Sequence, residues 1–288
     1  DFHYHCNTVN VGMLGNLSVT ANHAKGKYVW ILGDDDLIKQ GCIERVLEII
    51  RDNPELALIY MNYAYHREDD ISNVKDLDMF MSDAIPVSEP SNDINGRIKD
   101  ISTTSENFFT AIYCLVFRRD HAIKAYTQNI DGRPFSSMLT CIPTTYYVLN
   151  YMMDEPGYWF GNPQIVINLN VSWMKYATLW ILERLPEAHD LAEKMGADKH
   201  KLDQLRNQHL LLNIPHWFSE IYKGDPTGNM QYFNPVRLIS RINHLTKYDG
   251  VQKEMFDCYS DYYSTNPQIN ISPERLFNVD HEKEVVNE

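Results

Sequence analysis

Tyr28-Val29-Trp30-Ile31-Leu32-Gly33-Asp34-Asp35-Asp36 constrains this chain more than any other stretch. Five apolar residues, mostly of strand-favouring type, run straight into three consecutive carboxylates. A short run without polar alternation reads as a strand buried on both faces, as in a parallel sheet. Acids crowded at the carboxyl end of such a strand repel one another. A divalent cation or a set of hydrogen-bond donors offsets that cost. In open α/β sheets, ligands bind just beyond the carboxyl ends of strands. The acidic run is therefore a candidate metal and phosphate site, and its bland alternative is a solvated acidic turn.

The neighbouring sequence gives this strand a setting. Residues 11–16 read as a turn with two glycines. Leu14, Leu17, Ala21 and Ala24 then recur at helical spacing, so a helix is expected to about Lys25, closed by Gly26 at positive φ. After the acids, Gly41 precedes a second helix whose expected apolar face is Ile43, Val46, Leu47 and Ile50, stopped by Asn53-Pro54. Residues 56–65 and 112–117 read as strands, and 136–153 as a helix interrupted near Pro143. Tyr158–Phe160 and Ile165–Asn168 read as short strands flanking Asn162-Pro163. This order implies an α/β fold with a parallel or mixed sheet covered by helices. Residues 66–107 form a polar excursion, either a substrate-facing lid or a solvated insertion. Beyond Trp173 the periodicity is helical, which divides the chain into an α/β domain, 1–175, and a helical region, 176–288.

Composition narrows the function. A formal charge of −13, with 26 scattered Lys and Arg, argues against a nucleic-acid partner. The five cysteines lie far apart and form no CxxC pair, so neither a zinc ribbon nor a disulfide framework is expected. A reducing cytoplasm is the simplest compartment. No apolar run is long enough to cross a bilayer, and no signal peptide is visible. The chain begins at Asp1 rather than Met, and residues 2–6 already alternate like a strand in mid-sheet. The natural protein is expected to extend further toward its N-terminus.

Several separate features then coincide. Asn10-x-Gly12, Gly15-Asn16, Ala24-x-Gly26-x-Tyr28 and a strand closing in Gly33-Asp34-Asp35-Asp36 follow in order. The set resembles the family 2 glycosyltransferases of the type A fold (GT-A, a Rossmann-type mixed sheet), especially bacterial members that build surface polysaccharides such as O-antigen or capsule. The resemblance is good over residues 4–60, weaker over 112–175 and absent in the helical tail. It implies a nucleotide-sugar donor held through Mn²⁺ or Mg²⁺, a saccharide or lipid-linked saccharide acceptor, inversion at the transferred carbon, and a cytoplasmic enzyme peripheral to the inner membrane face. Carried over, Asp36 is the direct metal ligand, Asp34 lies at the ribose or the metal, and Asp35 lies close by. Asn10, Gly12 and Asn16 shape the wall around the nucleoside. Trp173 and Lys175 occupy the place of a mobile loop that closes on the diphosphate.

Two departures stand out. The strand and acidic turn that hold the nucleobase in the family would precede Asp1. The Glu-Asp pair that supplies the family's general base is replaced here by residues 136–141, without a carboxylate. Asp131, Asp154, Glu106 and His121 remain as candidates for the base. Other readings stay open beside these. Asn10 and Asn16 also suit a turn and a helix cap, and the glycines suit purely conformational roles. Tyr146, Tyr147, Tyr151 and Trp159 suit a sugar platform or an aromatic core, with the core the safer assignment. A binding or assembly module without catalysis is the main rival to an enzyme. A nucleotide hydrolase would need a GxxxxGK[ST] loop, which the sequence lacks.

Overall fold

The computed structural model describes residues 4–33, 36–66, 75–76, 85–86, 91–110, 112–168, 172–225, 227–266 and 268–277. The chain divides into two compact units. The first comprises Asp1–Gly132, Ile142–Val171 and Lys194–Ala197, and the second Arg133–Cys141, Ser172–Glu193 and Asp198–Glu288.

The first unit is built on a seven-stranded mixed sheet. Its strands are β1 (Tyr28–Trp30), β2 (Leu37–Ile38), β3 (Leu58–His66), β4 (Ile85–Pro86), β5 (Ile94–Arg97), β6 (Leu115–Arg118) and β7 (Pro156–Asn168). The main path runs β1-β6-β3-β7-β2, with β4 on β3 and β5 on β7. β3 and β7 pair in parallel, and the other described pairs are antiparallel. β3 lies at the centre with eight of its nine residues buried, so it is this strand that needs apolar side chains on both faces.

β1 differs from the fully buried parallel strand expected of it. It ends the main path, antiparallel to β6, and buries only Val29. Tyr28 and Trp30 are half-buried because each carries a polar tip to a backbone carbonyl. The Tyr28 hydroxyl donates to Leu56 O (2.7 Å) and the Trp30 indole N–H to Tyr113 O (2.7 Å).

Among the described residues five helices accompany the sheet: α1 (Gly12–His23), α2 (Cys42–Asp52), α3 (Ile98–Ile101), α4 (Arg119–Tyr126) and α5 (Pro143–Tyr151). α1 begins at Gly12, so Gly15 lies inside the helix rather than in a turn. The helix ends when Ala24 goes extended (φ −63°, ψ 137°), and Gly26 does not take a positive φ. Space is what Gly26 supplies: a Cβ there would lie 3.0 Å from Tyr28 O. α2 follows Gly41, whose φ of +78° suits glycine alone. It buries Cys42, Val46 and Ile49, one position off the expected face, leaving Ile43 and Leu47 exposed. Both stripes are apolar, and the small Cys42 behaves as a hydrophobe at the buried one.

β7 also corrects the sequence reading. Asn162-Pro163 does not separate two strands but forms a bulge inside one. The register with β3 passes from Met61↔Phe160 directly to Tyr63↔Ile165. The Asn62 side chain stitches the gap, donating to Gly161 O (2.8 Å) and accepting from Tyr63 N–H (2.9 Å). On the other side Asp93 accepts from Gly161 N–H (3.0 Å) and from the Tyr158 hydroxyl (2.8 Å).

The second unit is helical. After a π-helical turn over Trp180–Arg184 come α6 (Leu185–Lys194), α7 (Lys199–Leu212), α8 (Ile214–Glu220), α9 (Pro235–Ile242), α10 (Tyr248–Thr265) and α11 (Pro273–Phe277). Leu182, Leu210, Phe218, Leu238, Ile239, Met255 and Leu276 form the centre of its core. Asp198 caps α7 by accepting from Lys201 N–H, and Asn234 caps α9 just before Pro235. Arg206, buried on α7, binds Glu193 (2.6 Å), Asp203 (2.8 Å) and Asp190 (3.2 Å). No helix among the described residues is long and apolar enough to cross a membrane.

Candidate functional site

Asn10, Gly12 and Asn16 come together. The Asn10 carboxamide oxygen accepts from Gly12 N–H (2.8 Å), a local turn that feeds the chain into α1 with Gly12 at φ +71°. Asn16, one turn along, accepts from the Asn7 side chain (3.0 Å). Residues 7–13 and Asn16 line an open concavity of about 500 Å³. The first turn of α1 is one of its walls, and backbone N–H groups at a helix start favour an anion. The conformational roles of these residues and their place on a concave surface are thus the same fact.

Of the acidic run, Asp36 is described, while Asp34 and Asp35 lie outside the described residues. Asp36 is half-buried and immediately precedes β2, whose Leu37 and Ile38 pair with Val166 and Ile165 of β7. Burial, with the Asp36 charge behind it, pushes the Cys114 thiol well above its usual range. The Tyr113 hydroxyl is raised by burial first, then by neighbouring Tyr63, Cys114 and Tyr65 and by Asp36. Asp36 therefore faces the segment entering β6, the same segment that holds the Trp30 indole at the end of β1. Tyr113 and Cys114 were not singled out as site residues from the sequence, and Trp30 figured there only as part of the apolar run. No cluster of three or more potential metal ligands occurs among the described residues, which omit two of these three acids.

The four candidate bases do not form one site. Asp154 is exposed and bound to Lys99 (2.7 Å) and Arg97 (3.3 Å), with the Lys99 hydrogen bond foremost in holding its carboxyl below the usual range. His121 is buried, and burial lowers its pKa. Its Nε2 accepts from the Arg118 guanidinium (3.0 Å), which can only donate, so Nδ1 carries the proton toward the Tyr147 hydroxyl (3.2 Å). Both groups are thereby committed to structural partners. Glu106 opens a half-buried 3₁₀ turn, Glu106–Phe109, and Asp131 is exposed.

In the second unit, Trp173 and Lys175 lie on a 3₁₀ turn, Ser172–Tyr176, and both are exposed. Residues 169–171 of the expected closing loop lie outside the described residues. The Trp173 ring faces Phe135 (centroids 6.4 Å, planes 21° apart), and Phe135 stacks on Tyr176 (4.8 Å, 13°). Phe135 has φ +64°, a conformation costing a non-glycine residue about 1–3 kcal/mol. No glycine or asparagine announced it. Trp159, by contrast, is fully buried and stacked on Tyr60 (5.0 Å, 2°), which makes it core.

The first unit is thus an α/β domain: a mixed sheet with helices, a concavity at the start of α1, and an acidic run that follows β1 in the sequence. Residues 1–124 match the sequence model described as Glycosyl transferase family 2, and the mixed sheet with its helices is consistent with a type A-like α/β fold. No match to a curated protein was found.

Proposed function

We propose that this chain is a metal-dependent glycosyltransferase that moves a sugar from a nucleoside diphosphate donor to an acceptor hydroxyl with inversion. One observation carries the reading: the family 2 segment, residues 1–124, contains both the Asn10–Gly12–Asn16 concavity and the acidic run. The concavity takes the nucleoside, and the N–H groups at the start of α1 favour its phosphates. Asp36, with Asp34 and Asp35, would hold Mn²⁺ or Mg²⁺. Carboxylate oxygens are the hard donors these ions take, and the half-buried Asp36 fits that set. When bound, such an ion neutralises charge on the departing diphosphate. The family role, a surface-polysaccharide acceptor and a cytoplasmic place at the inner membrane face complete the proposal.

Donor hydrolysis tests it. UDP-, GDP-, CDP- and dTDP-sugars are incubated with the protein and Mn²⁺ or Mg²⁺, and free sugar is measured. Asp36→Ala is expected to lower the rate at least about tenfold, on the scale of lost metal-ligand interactions, and EDTA to abolish it. Full activity of Asp36→Ala at saturating metal would remove the assignment.

The commitment of His121 and Asp154 to structural partners favours one rival, a module that acts without catalysis. Calorimetry with UDP, GDP and CDP plus Mn²⁺ separates the two, since such a module binds none of them.

A further inference from the structure

We infer that the exposed indole of Trp173 is a stacking platform for a pyranose ring of a saccharide, with Phe135 and Tyr176 as positioning residues behind it. That a saccharide is the ligand rests on the glycosyltransferase reading above. Trp173 is 42% exposed although it belongs to a series of three near-parallel rings. Phe135 and Tyr176 fix the plane of the outermost ring without covering it. A rigid aromatic surface loses little freedom when a ligand lands on it.

The backbone beneath is held against its own preference. Phe135 sits in the left-handed region, and its flanking carbonyls are pinned from two directions. The Asn229 side chain donates to Pro134 O (2.7 Å), and the buried Arg184 guanidinium donates to Phe135 O (3.0 Å). Strain maintained in this way marks a position where the fold dictates the direction of a side chain. Here that side chain supports a ring left in water.

The shape of the surface selects the occupant. The exposed apolar surface here, the Trp173 indole with the adjoining Met174, is far smaller than the patch a protein partner needs. It matches one sugar ring, whose C–H face is electropositive and suits the electron-rich face of the indole. Lys175, exposed two residues further along with its ammonium over the Tyr176 ring (5.2 Å), can serve hydroxyl or acidic substituents.

Indole ¹⁵N NMR of the protein tests this. The chain has five tryptophans, and the Trp173 signal is the one that Trp173→Phe deletes. The probes are the methyl glycosides of β-glucose, β-galactose, α-mannose and β-N-acetylglucosamine. At least one is expected to shift that signal saturably. Phe135→Gly suits the left-handed backbone while removing the supporting ring. It is expected to retain the wild-type melting temperature and to weaken binding about tenfold, equivalent to about 1.4 kcal/mol. No shift with any of the four, or an unchanged isotherm in Phe135→Gly, overturns the inference. Donor hydrolysis on the same samples keeps the two readings apart. Hydrolysis without a Trp173 shift removes the platform alone, whereas a shift without hydrolysis removes the glycosyltransferase reading and leaves a sugar-binding surface.

Discussion

Gly161 shows how much one missing side chain decides. A Cβ there would run into Asn92 O and lie 2.5 Å from Asn92 C, both backbone atoms that cannot rotate away. Gly161→Ala is therefore expected to destabilise the protein by about 2–4 kcal/mol, read as a lowered urea midpoint, because the strand must move to relieve the clash. In the sequence this glycine lies in the stretch between the two short strands expected on either side of Asn162-Pro163. Its real constraint, the approach of a distant backbone, leaves no local mark. The acidic run was legible for the opposite reason: crowded carboxylates carry their electrostatic problem in the sequence itself. Phe135 was not legible, since nothing in a phenylalanine announces a left-handed backbone.

At the scale of elements, position was read better than facing. α2 was placed from Gly41 to Asn53 by its terminators, yet its buried stripe is Cys42–Val46–Ile49 rather than the stripe through Ile43 and Leu47. Two adjacent apolar stripes give a periodicity argument nothing to choose between, and tertiary packing decides. Ile43→Ser and Leu47→Ser are expected to change stability by no more than about 0.5 kcal/mol. Ile49→Ala should cost about 2–5 kcal/mol, and equilibrium denaturation of the three variants checks the facing. The same limit explains β1. Its apolar run resembled a central strand, but two of its residues are aromatic with polar tips, which reach carbonyls from an end-of-path position.

For the whole molecule, the balance of charge sets a dependence on acid. Burial works to raise the carboxyls of Glu193 and Asp203. Hydrogen bonds from Arg206, with Lys199 adding to them, outweigh it and hold both below their usual range. A lowered carboxylate pKa means that the folded state binds fewer protons than the unfolded chain. The stability it contributes is complete above the ordinary carboxylate range and drains away as pH falls through the lowered values. Arg206→Met should cost about 2–4 kcal/mol near neutral pH. It should also flatten the loss of stability on acidification, measured as unfolding free energy against pH. The helical character of this unit was plain from periodicity. Its ion network was not, because charges 13 to 16 residues apart meet only after the helices pack.

The pairing of β3 with β7 has a consequence for the making of the chain. Asn62 and Gly161, which meet at the bulge, are separated by 99 positions. During synthesis from the N-terminus, the central strand emerges long before its parallel neighbour exists. Until then it presents an unpaired edge rich in Leu, Ile, Tyr and Met, the kind of edge that invites mispairing with another chain. Closing so long a loop is also entropically costly and slow. The ladder that gives the finished sheet its centre thus forms only when β7, the last of the described strands, has emerged, and the interval before it arrives is when this protein is most exposed to aggregation.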